Sequence, residues 1–224
     1  MLKAACDALK AYYANASECE KIVIESAIAS TVSAAVLGAI PAAGPTVAQI
    51  AAGGIVISMY VRINQKLGLT LAKDILKSIL SVIGIEIGAT IGVTVLATVV
   101  SFIPVVGNVG AGVISAAVQF VFVYICGYLY ITILIALSKN KADLNKLSAD
   151  DVKNITKETI KKEDIKKLKK EAFEAHKEAE ESGELEKAKT HCPYCHQPHD
   201  KSARFCPNCG EQLIFDDENN WNKR

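Results

Sequence analysis

The sequence predicts an all-α chain of helical hairpins with a charged connector helix and a small β-type ribbon near its C-terminal end. Three observations predict it. Asp, Glu, Lys and Arg are absent from residues 26–61 and again from 87–137. Each apolar stretch is broken by one kind of corner, Ile40 to Gly44 (IPAAG) and Ile103 to Gly107 (IPVVG). Near the end stand two Cys-x-x-Cys pairs, after a segment, 139–189, that holds 14 Lys against 13 Asp plus Glu.

The first 21 residues read as an amphipathic helix, because Leu2, Ala5, Cys6, Leu9, Tyr12, Tyr13 and Ala16 recur at helical spacing. Asp7, Lys10, Glu18 and Glu20 interrupt any apolar block there, so no secretory leader is expected. Residues 22–138 form the hydrophobic domain. Its first hairpin turns at Pro41 and Gly44, its second at Pro104 and Gly107: proline removes a donor and disfavours helix before it, and glycine tolerates the angles of a corner. Both tips are uncharged, whereas the bases carry Lys21, Arg62, Lys66, Lys73, Lys77, Lys139 and Lys141.

That polarity predicts a membrane location with both termini cytoplasmic, since cytoplasmic flanks collect Lys and Arg. Ile87 to Ile103 would span about 26 Å, and the charge-free run from Val113 to Leu137 would cross a hydrocarbon core of about 30 Å. Tyr124, Tyr128 and Tyr130 are placed to form an interfacial belt. The first hairpin is more polar, with Ser26, Ser30, Thr31 and Ser33, and dips into the bilayer or crosses it. Gly84, Gly88 and Gly92 recur every four residues and predict a helix-packing face, or a glycine zipper. Glu86 on that helix would be costly to bury as an anion, and Glu25 is spaced to pair with Lys21.

The segments IPAAGPTVAQIAAGGIVISMYVRINQKLG and IPVVGNVGAGVISAAVQFVFVYICGYLYI resemble an uncharacterised hydrophobic helical domain found after the GTPase module in certain bacterial GTPases and in some inner-membrane proteins. The resemblance covers about 22–136 and rests on the two corners with Gln49, Arg62, Ile63 and Gly68. It implies an all-helical, membrane-linked accessory domain without catalytic residues. The phosphate-binding pattern GxxxxGK[ST] does not occur in the chain, so the resemblance brings no GTP-hydrolysing machinery.

The connector, 139–189, is rich in helix formers. Ser148 and Asp151 are spaced as a capping box, and Ile165, Leu168, Ala172, Ala175 and Ala179 form a narrow stripe suited to a short coiled coil or to docking. Glu158–Lys162 and Glu163–Lys167 are spaced for ion pairs on a solvated spacer helix. Lys161, Lys162, Lys166, Lys167, Lys169 and Lys170 would reach anionic lipid if that helix folded back toward a bilayer.

Residues 190–215 carry the strongest chemical pattern. Cys192, Cys195, Cys206 and Cys209 place two pairs ten residues apart, the spacing that brings four thiolates round one structural Zn2+. The segment resembles short zinc-ribbon modules. A closed thiolate shell leaves no position for activated water, and with no nucleophile–base set in the chain the reading is non-enzymatic. His191, His196 and His199 crowd the first knuckle as neighbours of the metal shell or as surface residues. Cys6, Cys19 and Cys126 are scattered, which suits a reducing compartment. Residues 216–224 form a polar tail.

From Thr190 onward five acidic residues face four basic ones, so the ribbon suits a protein partner better than nucleic acid. The function read from the sequence is a membrane-associated adaptor or scaffold presenting the ribbon to a cytoplasmic protein. Two alternatives stand beside it: a soluble homo-oligomeric helical protein or GTPase accessory, and a glycine-zipper pore or membrane-remodelling assembly.

Overall fold

The chain's most apolar stretch forms helix α5 (Ala111–Lys139), and, among the described residues, five other helices pack against it. The computed structural model describes residues 1–38, 45–71, 75–84, 111–139, 147–200, 203, 205–211 and 213. Both corners, with Pro41, Gly44, Pro104 and Gly107, lie outside those residues, as do Glu86, Gly88 and Gly92.

In chain order the described helices are α1 (Leu2–Leu9), a 3-10 turn (Ala14–Ser17), α2 (Glu18–Gly38), α3 (Pro45–Leu67) and α4 (Ile75–Gly84). After α5 come α6 (Ala149–Lys162), α7 (Ile165–Glu181) and α8 (Glu184–Ala188). The amphipathic N-terminal stretch is shorter as a helix than its periodicity predicts. Tyr13 is extended, at φ −138°, and its hydroxyl lies 3.0 Å from Ser138 Oγ, while Leu2, Ala5, Cys6 and Leu9 are buried one helical turn apart. Glu18 and Glu20 then fill the first turn of α2, where the helix dipole favours acid. Helix α3 starts on proline, whose missing N–H costs nothing at that position, and stops at Gly68, φ +69°, with Leu69 N–H bonded back to Asn64 O at 2.8 Å.

Helix α5 packs against α1, α2, α3, α6 and α7. At Gly127 it comes close to α2 and α3, where a Cβ would lie 2.6 Å from both methyls of Val23 and 3.2 Å from Met59 Sδ. Along the same level Tyr60 and Tyr130 stack with ring centres 3.9 Å apart; Tyr60 donates to the Cys126 carbonyl at 3.0 Å and Tyr130 to Asn64 Oδ1 at 2.7 Å. Satisfying buried hydroxyls in this way keeps aromatic burial from leaving orphaned polar atoms.

The 24-residue segment Ala116–Lys139 has a mean hydropathy of 2.4 and is long and apolar enough to cross a membrane, yet 78% of its most apolar window is buried inside the protein. Its tyrosines do not form an outward belt. Tyr124 donates to Glu171 at 2.7 Å and Tyr128 to Glu163 at 2.6 Å, so the acceptors come from the charged connector. That connector is folded back onto α5. Ser148 and Asp151 form the capping box of α6, and Leu168, Ala172 and Ala179 of the stripe are buried against the core while Ile165 and Ala175 are half-buried. Asp164 breaks α6 from α7 and caps α7 by accepting from Lys167 N–H at 3.0 Å.

The β-type ribbon expected at the C-terminal end is overturned. Among the described residues there is no β-strand; His191 and Pro198 form an isolated antiparallel bridge, and the fold is all-α. Cys192 N–H to Gln197 O and His199 N–H to Thr190 O, both 2.8 Å, flank that bridge, but the tight turn of His196 N–H on Cys192 O closes it on one side, and on the other Thr190 and His191 N–H are bonded back to Lys187 O at the end of α8, so the chain there is not extended.

Candidate metal centre

Two turns of one design hold the cysteines. In the first, Cys192 N–H bonds Gln197 O at 2.8 Å and His196 N–H bonds Cys192 O at 2.8 Å; in the second, Cys206 N–H bonds Glu211 O at 2.8 Å and Gly210 N–H bonds Cys206 O at 2.9 Å. The residue after each pair takes the left-handed conformation, His196 at φ +59° and Gly210 at φ +72°. Histidine tolerates that region better than branched residues do.

All four predicted cysteines come together: the Sγ atoms of Cys192, Cys195, Cys206 and Cys209 lie within 4.8 Å of one another. Cys192 and Cys209 Sγ are 3.6 Å apart, Cys195 and Cys206 Sγ 3.5 Å. A tetrahedral zinc with Zn–S bonds of about 2.3 Å needs sulfurs about 3.8 Å apart, so the four thiolates fit a structural Zn2+ site. Burial works against ionisation of Cys195, but the Gln197 N–H and the Asn208, Cys209 and Cys206 side chains outweigh it and bring its pKa down to about 6. Burial pushes the Cys192 thiol well up. A divalent cation would displace these protons and couple zinc binding to the fold of the ribbon.

The three nearby histidines are engaged elsewhere. His191 Nδ1 lies 3.0 Å from Thr190 Oγ1, His199 Nδ1 2.7 Å from Asp200 O, and His196 Nε2 3.7 Å from Glu25 Oε1 on α2. The ribbon has its own small core, Cys192, Cys206 and Leu213 packed with Tyr194 and Ala203, while Phe205 is exposed.

The ribbon is seated on the helices, which the sequence did not disclose. Arg62 of α3 sets its guanidinium carbon 4.4 Å from the centre of the Tyr194 ring and donates to Glu25 Oε2 at 2.8 Å. Ser58 Oγ lies 3.4 Å from Glu211 Oε2. Glu25 is also 3.8 Å from Lys21, the pairing its spacing predicts, but Arg62 is the nearer cation. Among the described residues Arg62 Nη1 is buried without an acceptor, and the guanidinium gains the π face of Tyr194 instead. The one available signal was Tyr194 itself, a large aromatic inside a knuckle too small to bury it alone. A cleft of about 430 Å³ runs between α2 and the α8–ribbon segment, with Ile24, Ile28, Ala188 and Pro193 among its walls.

At Gly84 an added Cβ would meet nothing within 4 Å among the described residues, and that residue is exposed.

Residues 191–213 match the zinc-ribbon domain family. No curated protein and no solved structure matches the chain. The matched segment leaves 22–136 uncovered, so the likeness of that region to the domain beside GTPase modules gains nothing from it. Zinc ribbons are structural and interaction modules, and a closed four-thiolate shell is consistent with a non-catalytic protein.

Proposed function

We propose that the chain is a non-catalytic, membrane-associated scaffold that offers its zinc ribbon to a cytoplasmic protein. The observation that carries the scaffold half is the seat: Arg62, Glu25 and Ser58 on two helices hold the ribbon against the helical body in one orientation. A module fixed in this way is presented by the body, not trailed on a tether.

The membrane half is supported by the charge-free stretches 26–61 and 87–137. Helices α1, α6 and α7, which carry Asp, Glu and Lys, and the segment after α1 cover α5 from about Phe120 to Ser138, as the Phe120–His176, Tyr124–Glu171 and Tyr13–Ser138 contacts mark out. Charged helices laid on that length would have to be dragged into hydrocarbon with it, at a cost of several kcal/mol for each buried charge. In this reading the wrapped part of α5 stays in water, and lipid meets the uncharged sequence nearer the two corners.

Flotation of the full chain with vesicles in detergent-free buffer tests the membrane half. The scaffold predicts that it rises with the vesicles. A monodisperse soluble oligomer that stays at the bottom of the gradient would replace it with the soluble homo-oligomer reading.

A further inference from the structure

We infer that the α6–α7 elbow is a binding surface for an anionic membrane, an inference that rests on the membrane reading above and has the helical body lie along the lipid surface, because the elbow meets α5 at Tyr128, farther from Ala111 than the Phe120–His176 contact. Between Lys157 and Lys170 the chain holds seven lysines and three carboxylates, Glu158, Glu163 and Asp164. Mixed sequences of this kind ordinarily neutralise themselves through pairs along the helix. This one does not.

Two of the three carboxylates, with Glu171 just beyond them, are spent on the fold. Glu163 accepts from Tyr128 at 2.6 Å, Asp164 accepts from Lys167 N–H at 3.0 Å, and Glu171 takes Leu2 N–H at 2.9 Å, Tyr124 at 2.7 Å and the Met1 amino group. Lys161, Lys162, Lys166 and Lys167 are all exposed, and among the described residues none has an acidic side chain within ion-pair distance. Lys170 is also exposed, with a loose pair to Glu174 at 3.9 Å. Lys169 is the exception: it is buried, and burial lowers its pKa. The elbow thus sets six exposed lysines, Lys157, Lys161, Lys162, Lys166, Lys167 and Lys170, against two exposed carboxylates, Glu158 and Asp164, with Glu163 half-buried.

The fold does not itself favour this placement. Lys161 and Lys162 suit the C-terminal turn of α6, but Lys166 and Lys167 stand in the first turn of α7, where positive charge opposes the helix dipole and the acid at hand is the N-cap Asp164, already bonded to the Lys167 N–H. An external polyanion would relieve that repulsion. A lipid surface fits better than a nucleic acid: the exposed elbow has no aromatic residue to stack on bases, and the chain also carries charge-free stretches suited to hydrocarbon.

The experiment uses the full zinc-loaded chain with phosphatidylcholine vesicles, with and without phosphatidylserine, at low and high salt. Near an anionic surface each lysine is worth on the order of five-fold in partitioning. Wild type is expected to prefer the serine-containing vesicles by more than about ten-fold, less so at high salt. Replacing Lys161, Lys162, Lys166 and Lys167 together by Gln abolishes the preference, and replacing them by Arg keeps it. Equal binding to both vesicle types, unchanged by Gln, overturns the elbow but leaves the membrane reading intact. Binding to neither overturns both. Heparin competing the chain off at equal charge, with Arg and Gln variants alike in vesicle binding, overturns the lipid assignment. Far-UV circular dichroism and zinc content confirm that the Gln variant is folded.

Discussion

The guanidinium of Arg62 lies 4.4 Å above the ring of Tyr194, joining a helix of the body to the first zinc knuckle. This contact converts a detachable module into part of one structure. Each partner is held by its own neighbours: Tyr194 by the Cys192–His196 turn, Arg62 by Glu25 across the α2–α3 interface.

Arg62→Ala removes the cation from both Tyr194 and Glu25. A partly desolvated cation–π contact is worth about 0.5–2 kcal/mol. We expect hydrogen exchange to speed at 193–197 and at the α2 turn round Glu25, with zinc content unchanged. Exchange rates equal to wild type at both places would show that the seat contributes nothing.

Removal of zinc by a chelator should unfold the ribbon and spare the helices, because the ribbon's core of Cys192, Cys206 and Leu213 is separate from the main cluster round α5. The metal assay should return one zinc per chain for wild type and none for Cys206→Ala. Retention of most far-UV helix signal in that variant is the expected result, and its collapse would mean that the body leans on the metal.

Gly127→Ala places a methyl group 2.6 Å from the two methyls of Val23. Val23 is stiff in a helix, so α2 and α5 must separate. We expect a loss of about 1–3 kcal/mol in denaturant unfolding, against a gain from helix propensity alone. Gly84→Ala, exposed with open space round it among the described residues, should be neutral or slightly stabilising.

Glu171 gathers the Leu2 N–H, the Tyr124 hydroxyl and the Met1 amino group. Burial works to raise its pKa, but these donors outweigh it and hold the carboxyl below its ordinary value of 4.5. Its contribution is therefore complete above that value and is lost as pH falls through the lowered pKa. Stability profiles of wild type and Glu171→Gln should differ most near neutrality and converge in acid. Parallel profiles down to acid would contradict this role.

Much of this was legible locally. The zinc ligands follow from Cys-x-x-Cys spacing, and the capping box at Ser148 and Asp151 from residues three apart, because both are decided within a few bonds of the chain. The close approach at Gly127 was not, since a glycine in an apolar run announces neither its partner helix nor the distance. Nor were the tyrosine–carboxylate bonds: aromatic residues at the end of an apolar helix look the same whether water, headgroups or Glu163 and Glu171 receive their hydroxyls. The ribbon was expected as a β-type module because its family of spacings suggests one, and the end of α8 at Lys187 to His191 and the tight turn at Cys192 to His196 confine the pairing to one bridge among the described residues.

The central claim is that lipid meets the uncharged sequence near the corners while the wrapped length of α5 stays in an aqueous body. Spin labels at Ala97 and at Lys177, read in vesicle-bound chain for access to oxygen and to a water-soluble nickel complex, test it most directly. The account predicts oxygen access at Ala97 and nickel access at Lys177, which is exposed on α7. Nickel access at both positions, in a chain that remains monodisperse without detergent, would contradict it.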